Sequence, residues 1–170
     1  YIKEISDNFE IGLLPSKGAQ KSFKIFESET FNISDLVHNK VDKILLQEGL
    51  NKISEDYKNS ISLDYANDFS MGYIDAFGYR ASTSSSFLFY DLSNETKTNL
   101  IVTPFVAHYR LIDKTDLSEV TDKIQMFKEF AKKYCGSLTI VINNQIFENS
   151  IKNRKRRFNF ISIIKKMCSN

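Results

Sequence analysis

Between Leu100 and Ile142 a strand-like run, a long amphipathic stretch and a short apolar run follow one another, and this succession constrains the fold most. Leu100–Tyr109 is dense in β-branched and aromatic residues, the composition of a strand. Pro104 interrupts it without an N–H to donate, so the strand must bend there or lie at an edge. Asp116, three residues before Glu119, fits a capping box with a carboxylate in the usual hydroxyl position. Leu117, Val120, Ile124, Phe127, Ala131 and Tyr134 then recur at steps of three and four, which places them on one helix face. Gly136 is positioned to end that helix in a left-handed conformation. Leu138–Ile142 is apolar on both faces, as a buried strand is. The order strand, helix, strand implies a β-α-β crossover over about 100–142.

Upstream, Ser34 is placed to cap a helix carrying Val37, Val41, Ile44 and Leu45 to about residue 48, with Leu50, Ile53 and Tyr57 continuing it beyond Gly49. Ser22–Phe26 alternates like a strand. Three further short strands are expected: Ile61–Tyr65, Tyr73–Tyr79 and Phe87–Leu92, with Ser93–Thr96 turning back toward Leu100. Downstream, Phe160, Ile161, Ile164 and Met167 suit a terminal helix. The expected fold is α+β or α/β, with a mixed, mainly antiparallel sheet flanked by helices near 34–48 and 116–135. At 170 residues this fits a single domain over 1–148, followed by a basic segment over 149–170.

Several function classes lack their signatures. There is no phosphate loop of the G-x-x-x-x-G-K-[ST] type and no G-x-S-x-G nucleophile elbow. His38 and His108 are the two imidazoles available to a hydrolase triad. Cys135 and Cys168 lack metal-ligand spacing and read as reduced thiols. No apolar run approaches the eighteen or so residues that a membrane-spanning helix needs, and no signal peptide is visible. The chain opens on Tyr1, which implies a processed protein or a piece of a longer one. An intracellular location, cytoplasmic or nuclear, is the expectation.

Charge distribution is more informative than net charge. Lys152, Arg154, Lys155, Arg156, Arg157, Lys165 and Lys166 lie in 149–170 with no acid among them. That leaves 16 basic against 21 acidic residues in 1–148. The Arg154–Arg157 run adjoins Phe158 and Phe160, which pairs cations for phosphates with rings on which bases can stack. The leading expectation is a nucleic-acid-binding domain acting through these seven cations. Docking on an acidic protein, or a broader protein–protein interaction role, is the non-enzymatic alternative.

An enzymatic alternative comes from the element order. Asp75 on one expected strand and Glu95-Thr96-Lys97 after the next are arranged in a way similar to the core of PD-(D/E)XK nucleases. That resemblance covers the layout from about 33 to 142. It implies Asp75, Glu95 and Lys97 as catalytic residues, with Mg²⁺ bound by the carboxylates and a lysine lowering the pKa of the attacking water.

Overall fold

The computed structural model describes residues 2–46, 48–147 and 153–168. Its helices are α1 (Ile2–Ser6), α2 (Phe23–Val37), α3 (Ile53–Ser62), α4 (Tyr109–Ile112), α5 (Leu117–Lys133) and α6 (Arg154–Cys168). Its strands are β1 (Lys43–Ile44), β2 (Asn67–Asp68), β3 (Phe87–Asp91), β4 (Thr96–Val102), β5 (Ala107–His108) and β6 (Ile140–Val141). The chain groups into two compact units, Tyr1–Met71 with Phe87–Thr103, and Gly72–Ser86 with Pro104–Asn170. None of the described helices is long and apolar enough to cross a membrane.

The first unit holds a four-stranded sheet in the order β1-β2-β4-β3. β1 pairs with β2, and β2 with β4, in parallel; β3 and β4 form an antiparallel hairpin. The sheet is mixed, as expected, but mostly parallel rather than mainly antiparallel. The reason is local. Ile61 and Ser62, expected to begin a strand, instead complete α3, so the chain travels from β1 to β2 through a helix. A helical crossover returns it in the same direction, whereas a tight hairpin would reverse it.

The helix expected over 34–48 also lies elsewhere. Ser22, not Ser34, occupies the N-cap position, and Ser34 falls in the last turns of α2. His38 then adopts the left-handed conformation at φ 54° and stops the helix. The Ser34 Oγ instead accepts a hydrogen bond from the Val41 amide at 3.3 Å, bracing the chain as it leaves α2. Val41–Leu46 holds four apolar residues with Asp42 and Lys43 among them, and so short a pattern satisfies a helix or a strand equally well. Here Lys43 and Ile44 become β1, while Val41, Ile44 and Leu46 are all buried.

The second unit contains the crossover read from the sequence, in altered form. β5 and β6 pair in parallel, Ala107 beside Ile140 and His108 beside Val141, with α4 and α5 between them. Leu100–Tyr109 is therefore not one strand. Pro104 lies between β4 and β5, and the two strands belong to different units.

The core of this unit gathers Val106, Ala107, Val120, Ile124 and Ile163, with Phe77, Tyr79, Phe127 and Leu138 packed around them. The stripe along α5 faces inward through Val120, Ile124, Phe127 and Ala131, whereas Tyr134, expected on the same face, follows the helix and is exposed. Tyr73–Tyr79 is not a strand; the segment runs irregularly, tied to the core by the Gly78 amide donating to Val106 O at 2.9 Å. Its aromatics serve packing: Tyr79 meets Phe127 edge-on at 5.7 Å and its hydroxyl donates to Ser137 O at 2.7 Å. Burial pushes the Tyr79 hydroxyl pKa up to about 12.

Gly136 is required for a different reason from the one its position suggests. The left-handed residue after α5 is Cys135, at φ 52°. A Cβ on Gly136 would run into the side chain and backbone of Ser84, whose carbonyl accepts the Ser137 amide at 2.8 Å. Close approach, not turn conformation, selects glycine here.

Candidate nucleic-acid interface

Six of the seven cations expected to meet a polyanion lie on one helix, α6, or at its ends; Lys152 lies outside the described residues. Asn153 seats the helix: it is buried, its side-chain amide donates to Gln145 O at 3.1 Å, and its carbonyl accepts the Arg157 amide at 2.9 Å. Ile163 is the anchor, 1% exposed within the core around α5. Near the other end the Lys128 ammonium of α5 donates to Lys166 O at 3.3 Å, a cation at the carbonyl end of a helix where the dipole favours it.

With Ile163 fixed inward, helical spacing turns Arg154, Phe158, Ile161 and Lys165 outward, at steps of four, three and four. Phe158 is 66% exposed and Ile161 47%. Arg157 flanks this stripe and is half-buried. Arg154 and Lys165 stand eleven positions apart, about 16 Å at 1.5 Å per residue. Among the described residues no carboxylate comes within ion-pair distance of Arg154, Lys155, Arg157 or Lys165.

Arg156 differs. Its Nε lies 3.6 Å from Asp113 Oδ1, on the side of the helix that faces α4. The contiguous Arg154–Arg157 run is therefore divided by the helix into cations turned outward and cations turned toward the second unit's own surface. A linear reading of charge could not separate them, because it carries no helical phase for a segment with few apolar markers before Phe158.

The residues implied by the nuclease resemblance are distributed differently. Glu95 sits in the β3–β4 turn with φ 48°, exposed, and Lys97 is exposed near the start of β4. Asp75 lies in the irregular stretch of the second unit and not on a strand. Among the described residues no three His, Cys, Asp or Glu side chains are grouped so that they could hold a metal ion.

The acid that the sequence reading passed over is Asp68. It ends β2, in register with Ile44 and Val102 on the neighbouring strands, and is fully buried. Ser70 donates to it twice, through its amide at 2.8 Å and its hydroxyl at 2.7 Å. The same hydroxyl accepts the Leu46 amide at 2.9 Å. Desolvation raises the Asp68 pKa to about 6, against the opposing hydrogen bonds from Ser70. The sequence held little signal for it, since Ala66 and Asn67 before it have low strand propensity and Phe69 alone beside it favours a strand.

His108 is also accounted for structurally. Its ring caps α4 by accepting the Arg110 amide at Nδ1, 3.3 Å away, and packs on Tyr109 with centroids 4.4 Å apart.

Searched against known proteins, the chain matches no family model, no curated protein and no solved structure.

Proposed function

We propose that the outward face of α6 binds single-stranded nucleic acid. The observation that carries this reading is the alternation along one stripe of cations and exposed apolar groups: Arg154, Phe158, Ile161, Lys165, with Arg157 at its side. Cations that face solvent without a nearby described acid are available to phosphates, and an exposed phenyl ring offers a stacking platform of the kind that holds unpaired bases. A duplex hides its base faces, so an exposed ring favours a single strand.

The test is fluorescence anisotropy with labelled single-stranded and duplex oligonucleotides over a salt series. With three to five phosphate contacts, log affinity for the single strand falls against log salt with a slope of about −2 to −3.5. Phe158→Ala weakens single-strand binding by about 1–3 kcal/mol while leaving the salt slope unchanged. Arg154→Glu combined with Lys165→Glu removes binding. Salt-independent association, or none, rules the reading out.

One observation favours a second reading, a protein partner. Among the described strands β3 pairs with β4 alone, leaving its other edge open, and Leu88 and Tyr90 along it are exposed. An open edge of this kind accepts an added strand. Replacing Tyr90 with Lys would then abolish capture of the partner while sparing oligonucleotide binding.

A further inference from the structure

A cavity of about 720 Å³ opens in the second unit, and the oligonucleotide-binding stripe does not include it. It lies where β5 and β6 end: Tyr109 follows the last residue of one strand, Ile142 and Asn143 follow the last of the other, and all three line it. Space beyond the carboxyl ends of adjacent parallel strands is where α/β folds hold their ligands, because the crossover connections leave a crevice there.

Its lining is mixed in a particular way. Lys114, Lys155 and Arg156 bring three cations to one cavity, against Asp113 and Asp116. Asp113 faces Arg156 at 3.6 Å, so each holds the other in place, and Lys114 and Lys155 are the remaining cations. Asp116 occupies the N-cap position of α5, yet its carboxylate accepts no hydrogen bond from the first-turn amides. Leu117 and Ser118 of that first turn line the cavity. Elsewhere the wall is aromatic, from Tyr109 and Phe160, and carboxamide, from Asn143 and Asn159.

An inorganic anion would fill only a small part of such a volume. A planar heterocycle with a hydrogen-bonding edge suits the aromatic and amide wall, and a phosphate suits the lysines beside the helix start. We propose that this cavity binds a nucleoside phosphate, its phosphates held by Lys114 and Lys155 and its base against Tyr109 and Phe160. The assignment does not rest on nucleic-acid binding by the outer stripe.

The test is titration of the full chain with trinitrophenyl-ATP, followed by displacement with ATP, GTP, CTP and UTP, with the free nucleosides, and with inorganic phosphate. Saturable fluorescence that at least one triphosphate displaces, and that the nucleosides and phosphate displace at least tenfold less well, is the expected result. Lys155→Ala, an exposed position whose loss leaves the core intact, weakens that binding about tenfold or more. Arg154→Ala and Lys165→Ala, on the outward stripe, leave it within about twofold. Failure of all four triphosphates to displace the probe overturns the proposal, as does equal displacement by inorganic phosphate. An equal loss from the Lys155 and Lys165 variants also overturns it, since the probe would then be reading surface charge. Oligonucleotide binding measured on the same preparation separates this outcome from failure of the single-strand reading.

Discussion

Asp68 is a carboxyl group placed where water does not reach, and its hydrogen bonds from Ser70 only partly offset the loss of hydration. Folding raises its pKa to about 6, so between about pH 4 and pH 6 the folded state binds more protons than the unfolded chain. Stability contributed by the protonated form is complete below the unfolded pKa and is lost as pH rises through the folded one. A rise of that size corresponds to about 3 kcal/mol. Urea unfolding of the wild type and of Asp68→Asn should diverge by that order between pH 4 and pH 7, the variant showing the flatter profile. Parallel profiles would mean that Asp68 is hydrated in solution. Gly136 makes a steric prediction at the same scale. Gly136→Ala drives a methyl into Ser84 and should cost about 1–3 kcal/mol, read as a lowered Tm.

Helices α5 and α6 show how one element can divide its work between faces. The inward face of α6 reaches the core through Ile163, while the outward face leaves Phe158 in solvent. Ile163→Ala should therefore destabilise the protein by about 2–5 kcal/mol. Phe158→Ala should change stability by about 0.5 kcal/mol or less. The pair is checked by chemical denaturation, and a comparable loss from both would mean that α6 turns Phe158 as well as Ile163 toward the core. The inward stripe of α5 was legible because Leu117, Val120, Ile124, Phe127 and Ala131 recur at steps of three and four. For α6 the terminal helix was legible from Phe160 onward, whereas its start at Arg154 was not, since four consecutive cations carry no periodicity. Val41–Leu46 was not legible because its four apolar residues are too few to carry a period, and its strand state is decided by β2 lying alongside.

Neither compact unit is a continuous stretch of chain. The second takes Gly72–Ser86 from between two parts of the first, and through it receives Phe77, Tyr79 and Ser84. Residues 104–170 expressed alone lack these groups and should not unfold cooperatively; circular dichroism against temperature should show a broad, shallow transition where the full chain gives a sigmoidal one. A sharp transition in the fragment would show that the 72–86 segment is dispensable.

The division of labour between sequence and fold follows from the range of the interactions. Periodicity along α5, the β3–β4 turn and the basic carboxyl-terminal stretch depend on neighbours a few residues apart, and the amino-acid order determines them. Tertiary structure alone decided which strands lie beside one another, that Asp68 is buried, that Arg156 turns to Asp113 while Arg154 faces outward, and that cations converge on a cavity beyond β5 and β6. Each of these depends on groups far apart in the chain being brought together, and burial and charge proximity have no meaning until they are.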